Sequence, residues 1–275
     1  MQNRYRLQPA EIAEAARKIR KRIISMNSAA GEGHTGADLS EADILSTLYF
    51  NVLRVDPDIP EAPDRDRFIL SKGHGVGGYY CTLAEAGFID PALLDTYLKA
   101  DSLCPGHPVR QKTPGIELNT GALGHGLPVA FGLALAARKQ RAGWKTWVLL
   151  GDGELAEGSN WEAAMAAAHY HLDNLVCIVD RNGLQLADRT ESILGLEPLG
   201  DKWRSFGFDV SEADGNDPAD LLRVIGRLEE GNGKPKVIIA STVKGKGVSF
   251  IEDQAAWHHR IPVGEEISAA IKELD

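Results

Sequence analysis

The sequence is poor in cysteine. It has three, Cys81, Cys104 and Cys177, far apart and with no CxxC pair. So sparse and odd a set excludes a disulfide framework and points to reduced thiols in a cytoplasmic protein. Cys177 lies in an apolar stretch and is expected to be core filler. Long apolar runs are missing too. The longest, Leu127 to Ala137, is too short to cross a bilayer and is interrupted by Gly132, which argues against a membrane protein. The N-terminal stretch has no apolar h-region, so no secretory leader is expected. Internal repeats and low-complexity linkers are absent. Basic residues are in deficit, with 30 Lys and Arg against 39 Asp and Glu and a net charge of −9. That excludes a generic nucleic-acid surface. An anionic ligand would have to be held by local groups and a metal, not by a basic field. The remaining composition, 43% hydrophobic and 25% charged over 275 residues, suits one large α/β domain covering 1–275.

The chain is organised around Gly151-Asp152-Gly153. The apolar run Thr146 to Leu150 precedes it and reads as a buried strand. Ser159 to Ala168 reads as a helix. Leu175 to Val179 is a second buried strand, ending in Asp180-Arg181-Asn182. Parallel sheets bind ligands outside the carboxyl ends of their strands, so Asp152 and Asn182 are expected to face one crevice. A carboxylate and an amide oxygen are ordinary ligands for Mg²⁺ or Ca²⁺, and Mg²⁺ usually completes its shell with phosphate and water. Gly151 and Gly153 would let the chain turn sharply and bring backbone N–H groups to an anion. Read singly, Asp-Gly and Asn-Gly are common turns. Their pairing at neighbouring strand ends favours the metal and diphosphate reading.

The other elements follow from pattern. Residues 9–28 form a helix with Ile12, Ala16, Ile19, Ile23 and Met26 on one stripe. The basic run Arg17 to Arg22 is its solvated face. Glycines at 31, 33 and 36 break the helix around His34, and a second helix starts near Ser40 with Glu41 in its first turn. Strands are expected at 67–70, 208–211 and 235–240. Helices are expected at 76–86, 91–98, 126–141, 199–206, 217–230 and 264–274. The whole is a mostly parallel sheet with helices on both faces. Four of the eight histidines, His34, His74, His107 and His125, directly follow glycine in loops. Histidine can bond a phosphate or a sugar hydroxyl and exchange protons near neutrality. No pair has zinc-site spacing, so metal ligation by histidine is rejected.

The string GDGELAEGSNWEAAMAAAHYHLDNLVCIVDRNGLQ resembles the thiamine-diphosphate motif. GEGHTGADLS, LSKGHG, CPGHP, NTGALGHG, GDGELAEG, VDRNGLQ and TVKGKG…WHH are similar, in that order, to the cofactor-contact segments of the transketolase family. The likeness runs through nearly the whole chain. It implies the thiamine-diphosphate-binding fold and transfer of a two-carbon ketol unit from a ketose phosphate to an aldose phosphate. It implies that Asp152, Asn182 and the carbonyl of Leu184 hold Mg²⁺ or Ca²⁺, and that His74, Gly153 and His258 contact the diphosphate. Gly121 and Leu123 would approach the cofactor rings. His34 and His107 would face the sugar hydroxyls, and with His258 would serve acid–base chemistry. Glu157 would be a catalytic residue beside the cofactor, meeting the partner chain's catalytic glutamate, and His34 would also touch the cofactor. Asp180 would support the metal loop through bonds to its ligands or as a structural turn.

There are departures. His125 stands where many transketolases have glutamine, and Val109 where an acidic residue is common. The pyrimidine-binding and C-terminal domains of a full-length transketolase are absent. The resemblance therefore implies the N-terminal subunit of a split transketolase, active with a C-terminal subunit, most simply as a two-plus-two heterotetramer. An engineered truncation would look the same. Pentose-phosphate sugars are the default substrates. Other readings are an α-type subunit of a 2-oxo-acid dehydrogenase, a 1-deoxyxylulose-5-phosphate synthase-like enzyme, or a cofactor-binding subunit without catalysis. The first does not account for the glycine–histidine loops, and the second is a single long chain. Asp152, Glu157, Asn182 and His34 argue against the third.

Overall fold

The computed structural model describes residues 1–186 and 188–275. The first helix, α1 (Pro9–Ala30), is set by local chemistry at both ends. Proline stands at its start, and Glu11 accepts from the backbone N–H of Gln8. Gly31, at φ 75°, closes it in the left-handed conformation. Its basic run is not wholly solvated. Arg20 turns inward and pairs with Asp43, both buried.

The second helix departs from expectation. It begins at Thr35, not near Ser40, as α2 (Thr35–Ser40). It then breaks at Glu41 and resumes as α3 (Ala42–Thr47). Gly36 lies inside α2 because space demands it. A Cβ there would stand 3.0 Å from the Trp257 carbonyl and 3.2 Å from the Lys244 side chain. Next come β1 (Arg67–Leu70) and α4 (Val76–Glu85). Residues Pro91–Thr96 form a short 3₁₀ turn rather than the longer helix expected at 91–98. The central unit follows as α5 (Gly126–Gln140), β2 (Thr146–Gly151), α6 (Gly158–His169) and β3 (Leu175–Arg181). A small hairpin, β4 (Leu184–Gln185) with β5 (Asp188–Arg189), and a short helix, α7 (Thr190–Ile193), were not foreseen. The chain continues through α8 (Leu199–Ser205), β6 (Asp209–Asp214), α9 (Pro218–Ile225), β7 (Lys236–Ser241) and α10 (Glu265–Glu273). Helix α9 ends well before 230, where Gly226 caps it ahead of the loop through Gly231 and Gly233.

Five strands pair in parallel in the order β1-β2-β3-β7-β6. Alternation along β2 divides its side chains between two cores. Trp147 and Leu149 pack on the side of α1, α3 and α4, with Ile19, Leu45 and Tyr79. Val148 and Leu150 pack on the other, with Leu127, Ala164 and Trp203 from α5, α6 and α8. Cys177 is fully buried in that second core. Apolar faces on both sides are what a covered parallel sheet requires. The register then fixes the functional edge. Gly151 lies opposite Asp180, and Arg181 opposite Ser241, so the turns leaving β2, β3 and β7 emerge side by side. Among the described residues no helix is long and apolar enough to cross a membrane.

Candidate cofactor site

Asp152 leaves the end of β2 as the cap of a 3₁₀ turn, Gly153–Ala156. Its carboxylate accepts from the Gly153 N–H at 2.8 Å, the Gly183 N–H at 2.6 Å and the Arg181 guanidinium at 3.1 Å. Its own N–H donates to the Asp180 carbonyl at 3.3 Å. The Asp152 turn and the Asn182 turn are thus stitched together. The Asn182 amide oxygen accepts from the Leu184 N–H at 3.1 Å. Gly183, at φ 76°, makes that turn possible. The chain does turn sharply after β2, but Gly151 and Gly153 do not share that left-handed conformation. At Gly153 the constraint is space, since a Cβ would meet the Gln185 side chain at 2.8 Å. Burial raises the Asp152 carboxyl above its ordinary value, with the charge of Asp180 adding to the effect.

These turns wall a cavity at the carboxyl ends of the strands, where parallel sheets bind their ligands. Asp152, Gly153, Asn182, Leu184, His74, Gly121, Leu123 and His258 all line it. His34 stands just behind, its ring 5.4 Å from His74 and 5.5 Å from His258. His107 packs so tightly on Gly121 that a Cβ there would lie 2.6 Å from the imidazole. Glu157 is not in the cavity. It is exposed at the start of α6, packed against Gly124. His125 is likewise exposed, at the start of α5.

Several residues were missed. Glu154 is buried and accepts from the Ser71 hydroxyl, the Gly124 N–H at 2.9 Å and the Gly151 N–H at 3.0 Å. It ties three glycine loops to one point. Lys72 is buried on the cavity wall and donates to Asp180 at 2.6 Å, with Glu41 at 2.9 Å. Asp180 also accepts from the Ser40 and Thr242 hydroxyls. Burial alone would raise its carboxyl. The Lys72 charge and these bonds outweigh that and hold it below the ordinary range. Its side chain braces the loops from below, while its carbonyl takes the Asp152 N–H.

The second missed cation is Lys244, whose ammonium lies 2.8 Å from Nδ1 of His258. Burial and nearby Lys72 bring it down to about 8. Burial likewise lowers His34 to about 4, aided by His259 and His107, and His258 to about 3, aided by Lys244. His74 is pushed well below its ordinary value by burial and Lys72. At neutral pH the three rings are uncharged hydrogen-bonding groups. The positive charge at the cavity resides on the lysines and Arg181.

Three histidines lie closer together than their spacing along the chain suggested. His34, His258 and His259 bring one ring nitrogen each to within 4.8 Å of one another. Spacing along the chain could not show this, because the rings come from loops far apart in sequence.

Close packing of glycine loops yields a first prediction. A Cβ on Gly73 would stand 2.7 Å from the Gly121 nitrogen and 2.8 Å from the Thr120 carbonyl carbon. Gly73→Ala should therefore cost about 1–3 kcal/mol as the backbone shifts, read as a lower Tm. An unchanged Tm would contradict the tight approach of these loops.

Known proteins resemble this chain along nearly its whole length. Residues 12–274 match the family described as "Transketolase, thiamine diphosphate binding domain". A subunit of the apulose-4-phosphate transketolase of Actinobacillus succinogenes is 55% identical, over 99% of either chain. A 6-deoxy-6-sulfo-D-fructose transketolase subunit from a Clostridium species is 38% identical, over 98% of either chain. The solved transketolase of Leishmania mexicana superposes with a TM-score of 0.90 at 31% identity. That match covers 96% of this chain but 41% of the Leishmania protein.

Proposed function

The chain belongs to the transketolase family as its thiamine diphosphate-binding part, and from that premise we propose how its residues serve ketol transfer. Its end-to-end similarity to proteins named as one subunit of a transketolase implies a partner chain. We assign that partner the pyrimidine-binding and C-terminal domains, with 1–275 as one domain, two of each chain in the assembly, and the cytoplasm as location. Three buried free thiols are in keeping with that compartment.

One observation carries the site assignment. Asp152, Asn182 and Leu184 line the same cavity as His74, Gly121, Leu123 and His258, at the carboxyl ends of parallel strands. The residues suit a hard divalent cation. Carboxylate, carboxamide and carbonyl oxygens are its usual ligands, and a cation relieves the burial of the Asp152 charge. Asp152, Asn182 and the Leu184 carbonyl would hold Mg²⁺ or Ca²⁺, with the Gly153 N–H, His74, His258 and Lys244 around the diphosphate. Gly121 and Leu123 would pack on the rings. When bound, thiamine diphosphate supplies the carbon that accepts and releases the two-carbon unit. Uncharged His34 and His107 would hold the sugar hydroxyls and move their protons, with His258 beside them. Glu157, outside the cavity and exposed, would meet the partner chain.

The substrate proposal narrows the pentose-phosphate default. Relatives matching this chain end to end are named for apulose 4-phosphate and for a sulfonated fructose. We assign apulose 4-phosphate as first donor, on the higher identity. The test is co-purification of the companion chain from the native source, then a two-carbon transfer assay. Turnover of apulose 4-phosphate only in the mixture is expected. Turnover by this chain alone would overturn the split assignment, and preference for an unbranched pentulose phosphate would overturn the donor.

Lys244 gives a pH prediction. Its ammonium is half neutralised near pH 8 in the cofactor-free chain. It is charged below that value, so affinity for the diphosphate anion should fall as pH rises from about 7 to 9. Lys244→Met should weaken binding at pH 7 and flatten the fall. An equally steep pH dependence in the variant would refute the assignment.

A further inference from the structure

Two kinds of donor stand side by side in this molecule. The oxygen set at Asp152, Asn182 and Leu184 suits a hard ion. At the same cavity, which His258 also lines, His34 and the adjacent pair His258 and His259 offer only imidazole nitrogen. Their rings are mutually close, with centroids 5.5 Å apart for His34 and His258, and 4.6 Å for the pairs involving His259. One ring nitrogen from each lies within 4.8 Å of the others. Among the described residues this is the one group of three or more His, Cys, Asp or Glu side chains so placed.

We propose that His34, His258 and His259 form a three-histidine site for Zn²⁺ at the edge of the cofactor cavity, and that zinc held there shuts off ketol transfer.

Three imidazoles with a water in the fourth position are an established zinc geometry. Bonds of about 2.0–2.1 Å put ligand nitrogens roughly 3.4 Å apart in a tetrahedron. The rings must therefore close by up to about 1.4 Å, within reach of side-chain rotation because His259 is exposed and the other two only half-buried. Imidazole favours zinc over magnesium, which keeps to oxygen. The two ions thus sort to neighbouring sites by ligand chemistry. Zinc takes imidazole in its neutral form.

Lys244 decides which nitrogen of His258 is used. Its ammonium lies against Nδ1, leaving Nε2 for the metal. The protons balance as follows. Before binding, the lysine carries three protons and the ring carries one on Nε2. Afterwards zinc replaces the Nε2 proton, Nδ1 carries a proton taken from the lysine, and the amine accepts the bond from Nδ1–H. One proton leaves to solvent. Zinc in place ties up His34 and His258, so neither can serve sugar or diphosphate. This inhibition rests on the ketol-transfer reading; zinc binding itself does not.

The test titrates the full chain, free of thiamine diphosphate, with Zn²⁺ in the presence of excess Mg²⁺. Co²⁺ serves as the visible probe. One Zn²⁺ per chain is expected, with tetrahedral d–d absorption from Co²⁺. Exposed His259 is outside the ketol-transfer machinery, so His259→Gln should fold and keep basal activity. It should weaken zinc binding by about tenfold or more and abolish the cobalt spectrum. In the two-chain assay it should raise the half-inhibiting zinc concentration by a similar factor. Zinc affinity unchanged in His259→Gln, or no stoichiometric binding, would overturn the site. Binding without inhibition would overturn the regulatory half. An inactive two-chain mixture would count against the functional reading and leave the zinc titration to decide the site.

Discussion

Asp152→Ala should abolish metal-dependent retention of thiamine diphosphate. The carboxylate is the only charged oxygen in the proposed ligand set, and it is almost fully buried against the cavity. Its loss leaves Asn182 and the Leu184 carbonyl, both neutral, too weak a pair to hold a hydrated Mg²⁺ against solvent. It also leaves Arg181 with Glu191 and Glu197 as its ion-pair partners. The variant also loses the bonds from Gly153, Gly183 and Arg181, about 1 kcal/mol or more each, and circular dichroism checks that it still folds. Affinity should fall by more than about 100-fold, beyond what altering a ligand's hydrogen-bond partners costs. Equilibrium dialysis with and without Mg²⁺ measures this directly. Retention equal to wild type would refute the metal assignment.

His34→Ala should slow turnover far more than it weakens cofactor binding. The ring stands behind the cavity wall, beside His74 and His258 rather than at the metal turns. It is uncharged near neutrality, brought to about 4 by burial and by His259 and His107. An uncharged imidazole can take a hydroxyl proton but contributes little to binding an anion. Removing such a group typically costs about 10²–10⁴-fold in rate. The two-chain assay gives kcat, and dialysis gives cofactor affinity for the same variant. Comparable losses in both would show that His34 anchors the cofactor instead.

Legibility in the sequence followed a physical divide. Asp152 and Asn182 were readable because each ends a buried strand, and strand ends in a parallel sheet share an edge. The glycine–histidine loops were readable because glycine marks close approach. Three of the four rings do gather at the cavity, while His125 does not. Lys72 lies within one of those loops and Lys244 in the glycine loop after β7, and both were passed over. Nothing local separates a buried lysine from an exposed one; the partners Asp180, Glu41 and His258 are remote in sequence. Glu154 hid in the same way beside Asp152. The start of α2 was missed because Gly36 reads as a breaker, whereas the structure uses it for room under Trp257 and Lys244. His259 carried no glycine mark. Only the third dimension brings it to His34.

The central claim is that one ion joins the ends of β2 and β3 to the cofactor's diphosphate. The most direct measurement is anomalous X-ray scattering from crystals grown with Mn²⁺ and thiamine diphosphate. A single strong peak bonded to the Asp152 carboxylate, the Asn182 amide oxygen and the Leu184 carbonyl at about 2.1–2.2 Å is expected. A cofactor bound with no metal between these residues, or a peak bonded to none of the three, would contradict the account.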